Sequence, residues 1–448
     1  MTENLHKDLS QWELPVHKSE SIEKVVDCGF PSDGIYQVSI GEGVILDVLV
    51  QNVCAIGRSD YVLIGLNGAV TQREKKKGPF FSGTSITKKL GVLSISISDP
   101  TLDIDGSIGL AWYAGNEQIP DLPLKLAALI TGVSQKYNLR PVLFGGSGAG
   151  FAALNISPHI NVPHVVIVWN PQTRILKYFA RFVETYLKSA FPKLWSKMYS
   201  KGNYRDRGRE AFLGDMLEES GISHSLESKQ LNRSAQIIYL QNRDDWHVQV
   251  HAEPFLRELG PWRRCGPCSF QSGAMNVGAV FGNWGEGHAA PPRSTIYSLL
   301  KFCASHQELF SEESSNIFSL FLQESAYSWS LCPDELSFAN KSDRDTHPQM
   351  PRLEQPTLEL HVVYSKATSV VLAELCFHPK PNNEVKNAYA FYLLVNGVRI
   401  KSRWYESEPY VAFDVDPNLN PETKVEILAF VKDQFGKIRR ARKSVLLV

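Results

Sequence analysis

Charge of one sign is not in excess in this sequence, and long apolar runs are absent. Lysine plus arginine and aspartate plus glutamate each number 47, so the formal net charge is zero. A neutral chain lacks the basic face with which proteins usually bind nucleic acids or anionic membranes, so we expect neither partner. No run reaches the roughly 18 apolar residues that cross a bilayer, which predicts no membrane span.

Cysteine is also scarce, with seven residues spread over 448 positions. The opening stretch MTENLHKDLSQWELP lacks the apolar core of a signal peptide, and an odd, scattered set of cysteines then predicts reduced thiols and a cytoplasmic protein. Cys265 and Cys268 form a C-G-P-C motif that resembles the thioredoxin active site. We interpret it as a loop, because two arginines separate Trp262 from the first cysteine. No second ligand pair has zinc spacing nearby, and we expect neither a metal nor another cofactor.

The length and the pattern of apolar runs predict more than one domain. At roughly 100–200 residues per domain, this length implies two or three. After a polar N-terminal extension over 1–33, strand-like runs alternate with helix-like runs over 34–340. That alternation predicts an α/β domain with a doubly wound, mostly parallel sheet, whose functional residues lie on loops after the carboxyl ends of the strands.

Two segments break this alternation. Residues 174–230 are helical in pattern and rich in aromatic and basic side chains, at a place where a lid would be inserted between two strands. A lid and a packed helical insertion without a gating role both remain open. After a linker at 340–356, residues 356–448 contain short strands separated by turns such as Asn396-Gly397. Their spacing predicts an all-β sandwich domain.

Glycine is concentrated around one serine, Ser147, in the stretch RPVLFGGSGAGFAAL between a strand-like and a helix-like run. The stretch is not a phosphate-binding P-loop, because no lysine follows the glycines, and it is one residue short of the dinucleotide-binding pattern. It fits the nucleophile elbow, Gly-x-Ser-x-Gly on a sharp strand-to-helix turn. Gly145 stands two residues before the serine and Ala149 two after it, and both are small enough for helix and strand to approach closely.

An elbow serine needs an acid and then a histidine later in the chain. The strand-like run IIYLQN is followed by RDDWHVQVH, and the run VGAVFG is followed by NWGEGHAAPP. The second stretch places His288 in a glycine-rich loop before a helix, where its imidazole can reach over the serine. The three motifs therefore stand in the required order, each at the end of a strand.

With these motifs, the stretch from about Gly34 to Phe310 resembles the α/β-hydrolase superfamily. The resemblance implies that Ser147 is the nucleophile, that His288 is the base and acid, and that an aspartate orients the histidine. Asp245 matches the Asp-x-x-Val turn of esterases and serine peptidases, because a valine follows three residues later, and Asp244 is the alternative.

The resemblance also implies an oxyanion hole. The N–H of Gly148, the residue after the nucleophile, is the first expected donor. The stretch IGLNGAV follows an early strand, and either Gly68 or Ala69 in it is the expected second donor. Asn67 stands where lipases and esterases often carry histidine, so we expect it to contact substrate. A plain turn at this loop remains open.

Four further side chains near these motifs have two interpretations each. Trp112 and Tyr113 lie in a glycine-bounded loop, where they would either stack on a sugar ring of the substrate or anchor the loop to the core. His247 and His251 are alternative bases, but neither follows the last strand, so we interpret them as surface or packing histidines.

Together these features predict a serine hydrolase that acts on an ester through Ser147, His288 and Asp245, with no cofactor and no metal. A small-molecule ester or a glycan-linked acyl group is the expected substrate. An acyltransferase with the same mechanism, a serine peptidase and a non-catalytic scaffold are the alternatives. The intact set of three motifs argues against the scaffold, and no acidic residues stand out that would hold the amine of a peptide substrate.

Overall fold

The computed structural model describes residues 6–41, 43–200, 208–226, 231, 234–264, 269–272 and 275–305, and then 357–365, 370–378, 388–406, 410–416, 419–420, 423–432 and 438–445. The chain divides into two compact units, Met1–Met350 and Pro351–Val448. The expected linker at 340–356 and the Cys265 to Cys268 motif lie outside the described residues. No described helix combines the length and apolar character needed to cross a bilayer.

The described part of the first unit is built on one mixed sheet. Its strands are β1 Val16–Ser19, β2 Gly34–Gly41, β3 Val44–Gln51, β4 Tyr61–Leu66, β5 Ser94–Ile97, β6 Arg140–Gly146, β7 His164–Trp169, β8 Ala235–Asn242, β9 Trp262–Arg264, β10 Ser269–Ser272 and β11 Val277–Gly282. They lie in the order β1-β2-β3-β5-β4-β6-β7-β8-β11-β10-β9. The centre from β5 to β11 is parallel, and the flanks are mostly antiparallel. An α/β sheet with a parallel centre is confirmed.

Helices cover both faces of this sheet. They are α1 Ile22–Cys28, α2 Thr84–Leu90, α3 Leu122–Tyr137, α4 Gly148–Ile156, α5 Ala180–Ala190, α6 Pro192–Ser200, α7 Arg209–Ser220, α8 Glu253–Arg257 and α9 Arg293–Ser305. In β4, Val62 and Ile64 belong to the core on one face, and Tyr61 and Leu63 to the core on the other. A strand buried on both sides reads as a continuous apolar run, which is why β4 lacks the alternation of a half-buried strand.

The N-terminal segment, set apart as an extension by its composition, belongs to the first unit. Strand β1 pairs in parallel with β2. Before it, the ammonium group of Lys7 forms ion pairs with Asp47 and, at 2.8 Å, with Asp103, and both carboxylates are buried. Burial alone would lower the pKa of Lys7, but the two carboxylates more than offset this and raise it. A buried charge is tolerated only when it is paired, so these ion pairs hold the segment on the sheet.

The segment between β7 and β8 is helical, as its pattern predicts. Its helices α5 and α7 contribute buried side chains such as Val183, Leu187 and Phe212 to the core on one face of the sheet. The insertion is therefore packed against the sheet in this conformation. A gating role for it stays a prediction.

The residues on either side of the C-G-P-C motif form strands, although the sequence around the motif indicates a loop. Strands β9 and β10 flank the motif and pair with each other in antiparallel fashion, and β10 continues the sheet beside β11. Arginines and polar residues dominate these two short strands, so they lack the apolar run that identifies the central strands from sequence.

The second unit consists of antiparallel strands: β12 Thr357–Ser365, β13 Val370–His378, β14 Ala388–Val395, β15 Val398–Glu406, β16 Tyr410–Asp414, β17 Val425–Lys432 and β18 Ile438–Val445. They form a sheet in the order β12-β13-β16 and another in the order β15-β14-β17-β18. One apolar core contains residues of both sheets. The turn between β14 and β15 places Asn396 and Gly397 at φ values of 52° and 81°, the hairpin geometry that Asn-Gly favours.

Candidate active site

The candidate site begins at the sharp turn from β6 into α4. Ser147 is the residue between them, with φ 56° and ψ −120°, a left-handed backbone conformation that costs an L-residue about 1–3 kcal/mol. Two backbone hydrogen bonds hold this turn. The N–H of Ser147 donates to the carbonyl of Trp169 at 3.0 Å, and the N–H of Gln172 donates to the carbonyl of Ser147 at 3.1 Å. The surrounding structure thus imposes the elbow predicted from the glycine pattern.

The small residues around Ser147 are required by close contacts. A Cβ on Gly145 would lie 2.7 Å from the Cβ of Ala149 and 3.0 Å from its carbonyl carbon and oxygen. A Cβ on Gly150 would lie 2.6 Å from the Cβ of Pro171. Helix α4 therefore approaches the strand ends more closely than side chains would permit, as the elbow motif predicts.

Asp245 and His288 are in direct contact. The Nδ1 of His288 lies 2.6 Å from Oδ2 of Asp245, whose other oxygen accepts the backbone N–H of His247 at 3.0 Å. Asp245 is buried, whereas Asp244 is exposed, so Asp245 is the acid that the structure pairs with the histidine. A carboxylate acceptor at Nδ1 fixes the tautomer in which Nε2 carries a free lone pair.

Two buried asparagines, which sequence reasoning missed, hold the His288 loop. The side-chain amide of Asn170, directly after β7, donates to the carbonyl of Ala289 at 2.7 Å. The amide of Asn242, the last residue of β8, donates to the carbonyls of Gly285 and Gly287 at 2.8 and 2.7 Å. The carbonyl of Trp169, the residue before Asn170, accepts the backbone N–H of Ser147. The serine turn and the histidine loop therefore meet at the same edge of the sheet.

His247 and His251 are buried beside this pair. The ring of His247 lies 4.2 Å from that of His288, centre to centre, in an edge-to-face arrangement. Its Nδ1 lies 3.0 Å from the carbonyl oxygen of Asn170 and 3.5 Å from Oδ2 of Asp245. Burial lowers the pKa of His247 well below its ordinary value and that of His251 to about 3, so both rings are neutral near pH 7. These positions fit the interpretation as packing histidines.

Asp245, His247 and His288 also form a compact group of potential metal ligands, with ligand atoms within 4.8 Å of one another. A carbonyl oxygen can only accept, so the Nδ1 of His247 carries the proton that it donates to Asn170 and cannot bind a cation. The Nδ1 of His288 is likewise engaged by the carboxylate. These hydrogen bonds occupy both Nδ1 atoms and leave the Nε2 of His288 as an atom that can accept a proton.

The loop after β4 lies beside the elbow. A Cβ on Gly68 would meet the carbonyl oxygen of Gly146 at 3.4 Å, which brings the backbone of the loop next to the serine turn. Ala69 is exposed and Gly68 is half-buried. Gly148 opens helix α4, whose first N–H groups have no partner within the helix. All three expected oxyanion donors are therefore at this end of the sheet.

The three side chains that are expected to contact substrate are buried instead. Asn67, Trp112 and Tyr113 have side chains that are 4%, 0% and 1% exposed. The side-chain oxygen of Asn67 accepts from the backbone of Asp99, and the hydroxyl of Tyr113 accepts the N–H of Asn67 at 2.9 Å. Rings without exposed surface cannot stack on a sugar, so that prediction is wrong in this conformation. The alternative, an anchored loop, describes both aromatic residues.

Asp99 is fully buried and holds this loop through hydrogen bonds to its carboxylate. Its carboxylate accepts the N–H of Tyr113 at 2.7 Å and the N–H of Thr101 at 3.0 Å. Trp112 and Tyr113 have φ values of 56° and 53°, so the carboxylate stabilises two successive left-handed residues. Burial raises the pKa of Asp99 to about 6, although both hydrogen bonds oppose the shift.

This shift predicts a pH-dependent stability. Between about pH 4 and pH 6 the native state binds more protons at Asp99 than the unfolded chain does, so the contribution of Asp99 to the free energy of unfolding falls as the pH rises through that window. We expect Asp99→Asn to remove this contribution, which changes by at most about 1.4 kcal/mol per pH unit. Urea unfolding at pH 4, 5 and 6 measures this, with the exposed Asp244→Asn as the matched control. An identical slope in wild type and Asp99→Asn would contradict it.

Sequence reasoning also missed Gln172 and an aromatic pair. The side-chain amide of Gln172 donates to the Oγ of Ser147 at 3.0 Å. The half-buried rings of Tyr178 and Trp246 lie nearly parallel, with centres 6.0 Å apart, and Trp246 is 4.3 Å from the ring of His247. Gln172 follows the Asn-Pro end of β7 and Trp246 directly follows Asp245, so strand-end position was the available signal.

Comparisons with known proteins give weak matches. No family model matches the sequence, and no curated protein matches it. Among solved structures, an S-formylglutathione hydrolase from Agrobacterium tumefaciens is 13% identical, covers 60% of this chain and 91% of its own, and has a TM-score of 0.32. Acetyl xylan esterases from Paenibacillus sp. R4 and Thermoanaerobacterium sp. JW/SL YS485 are both 12% identical. They cover 63% and 65% of this chain and 90% and 92% of their own, with TM-scores of 0.31 and 0.34. Likeness at this level assigns no reaction to this chain.

The fold and the position of the motifs carry the family resemblance on their own. The first unit has a sheet with a parallel centre between helices, a serine on the turn after β6, and an acid and a histidine after β8 and β11. The first unit therefore resembles the α/β-hydrolase superfamily in its architecture as well as in its sequence motifs.

Proposed function

We propose that this protein is a serine hydrolase that cleaves an ester through Ser147, His288 and Asp245. The observation that carries the proposal is the 2.6 Å contact between Nδ1 of His288 and buried Asp245, at the same edge of the sheet as a serine on a left-handed elbow. A bonded acid–histidine pair beside an elbow serine is the arrangement that activates a hydroxyl nucleophile.

The proposed reaction uses the hydrogen-bonding groups of these three residues. The Oγ of Ser147 attacks the acyl carbon while the Nε2 of His288 takes its proton. The carboxylate of Asp245 stabilises the imidazolium that forms and keeps the ring in its tautomer. His288 then returns the proton to the leaving alcohol. Water resolves the acyl-enzyme, and a sugar hydroxyl in its place would make the same protein an acyltransferase.

The oxyanion of the tetrahedral intermediate would be held by backbone amides. The N–H of Gly148 stands at the start of α4, where the helix dipole also favours negative charge. Gly68 or Ala69 provides the second N–H from the loop that lies against Gly146. Fixed donors of this kind contribute because they need no reorganisation as the charge develops.

The proposed substrate class is an ester with a bulky, ring-containing part, such as a glycan-linked acyl group. Tyr178 and Trp246 support this, because their half-buried rings lie next to His247 on the histidine side of the site. Aromatic faces bind the apolar faces of rings. In this proposal Tyr178 and Trp246 stack on the substrate ring, the role that the sequence suggests for Trp112 and Tyr113.

The proposal is tested by intact mass after treatment with a fluorophosphonate. We expect one covalent adduct on the wild-type protein and none on Ser147→Ala, because only an activated serine reacts. Hydrolysis of aryl acetates but not of aminoacyl amides would then separate an esterase from a peptidase. Absence of the adduct on well-folded wild type, or an equal adduct on both proteins, would exclude the proposed nucleophile.

A further inference from the structure

Gln172 is a fully buried side chain in contact with the proposed nucleophile, and the site chemistry above gives it no part. Its amide nitrogen Nε2 donates to the Oγ of Ser147 at 3.0 Å. Its backbone N–H donates to the carbonyl of the same serine at 3.1 Å. One residue thus holds both the main chain and the hydroxyl of Ser147.

The indole of Trp112 determines which way this amide points. The Nε1–H of Trp112 can only donate, and it donates to the Oε1 of Gln172. The oxygen of the amide is therefore directed at the indole, and the nitrogen is directed at Ser147. Trp112 is 0% exposed and packs edge-on against Tyr178 and Tyr186, so the indole itself has little freedom to turn.

The direction of this hydrogen bond affects the serine proton. A hydroxyl has one proton and two lone pairs, so an Oγ that accepts from Gln172 keeps its own proton for another acceptor. If the amide were reversed, its oxygen would face Ser147 and would accept that proton in competition with His288. The orientation fixed by Trp112 is thus the one that leaves the hydroxyl available to the base.

We propose that Gln172 is a positioning residue for Ser147, and that Trp112 acts through it by fixing the amide. This inference rests on the proposed function, since it assigns a role relative to the same nucleophile. It involves no covalent step at Gln172. The side chain only determines where the hydroxyl proton points before the attack.

The test is a cycle of four proteins: wild type, Trp112→Phe, Gln172→Leu and the double variant. Each is assayed for the rate of fluorophosphonate labelling, after thermal unfolding has shown that it is folded at the assay temperature. In Trp112→Phe the Oε1 of Gln172 loses its indole donor, so the orientation of the amide is no longer fixed and its oxygen can face the serine. We expect labelling to slow by about tenfold or more.

The double variant separates a positioning role from a structural one. With Leu at position 172 no amide oxygen can capture the serine proton, so we expect the double variant to be labelled faster than Trp112→Phe alone. If both residues had only a structural role, the double variant would be labelled no faster than Trp112→Phe. That result would overturn the proposal.

Two further outcomes are informative. If Trp112→Phe does not fold, Gln172→Glu replaces it, because the carboxylate still accepts from the indole but presents an oxygen to Ser147. Labelling of Gln172→Glu at the wild-type rate would overturn the positioning role. If folded wild type is not labelled at all, the proposed function fails and the role of Gln172 fails with it. If wild type is labelled and the effects of the two single substitutions on the labelling rate simply add in the double variant, only the positioning role is overturned.

Discussion

Asp245→Asn is expected to lower the turnover of an ester substrate by about 10⁴-fold while leaving the protein folded. The carboxylate accepts the Nδ1–H of His288 at 2.6 Å, and an asparagine can present its NH₂ group there instead. The histidine would then hold its proton on Nε2, the atom that must accept from Ser147. The change is one of tautomer rather than of shape, so the rate falls while the stability changes little. Turnover of an aryl acetate by both proteins measures the effect.

Asp244→Asn is the matched control for this experiment. It makes the same chemical change one position earlier, on a carboxylate that is exposed instead of buried beside His288. We expect its turnover to stay within about twofold of wild type, as is usual for substitutions at exposed sites away from a functional contact. Comparable losses in the two variants would reject Asp245 as the residue that orients the histidine.

Gly145→Ala is expected to destabilise the protein and to disturb the elbow. The added Cβ would lie 2.7 Å from the Cβ of Ala149 and 3.0 Å from backbone atoms of that residue, which cannot move away as a flexible side chain could. Overpacking of this kind costs about 1–3 kcal/mol of unfolding free energy. Since the shift occurs two residues from Ser147, we also expect a loss of turnover of about 10-fold to 100-fold. Urea unfolding and the ester assay measure the two effects.

The control for the added methyl group is Gly214→Ala in helix α7. There the new Cβ would make an ordinary contact, 3.4 Å from a methyl carbon of Leu176. Alanine in a helix is favoured over glycine by about 0.5–1 kcal/mol, so we expect this variant to be slightly more stable than wild type and fully active. Equal stability of Gly145→Ala and Gly214→Ala would show that helix α4 can move away from the strand.

The central strands and the order of the motifs could be predicted from sequence for a physical reason. Strands buried on both faces are continuous apolar runs, and their loops carry the glycines and polar residues that the site needs. Strands β1, β9 and β10 lie toward the edges of the sheet and are short and polar, so they lack that signal. The N-terminal segment could not be assigned to the sheet because its strand β1 is Val-His-Lys-Ser, which has no apolar run.

The site was predicted less completely than the fold. Ser147, Asp245 and His288 each follow a strand within a recognisable motif, and the structure places all three at one edge of the sheet. The packing around them depends on contacts between distant segments, such as Trp112 with Gln172 and Asn170 with Ala289. No local pattern reports such contacts, so the sequence leaves open whether Trp112 stacks on substrate or anchors its loop.

The ion pairs of Lys7 bear on how the chain folds as it is synthesised. Lys7 contacts Asp103, and the backbone N–H of Asp8 donates to the carbonyl of Gly78, so this segment is held by residues that are synthesised much later. Because about 100 residues separate Lys7 from Asp103 and ribosomes add about 5–20 residues per second, the acid is made roughly 5–20 s after its cation. During that interval Asp47 can pair with Lys7, but the buried arrangement of both carboxylates around one ammonium group cannot form. The segment around Lys7 is thus fixed in place by both carboxylates only after Asp103 has been synthesised.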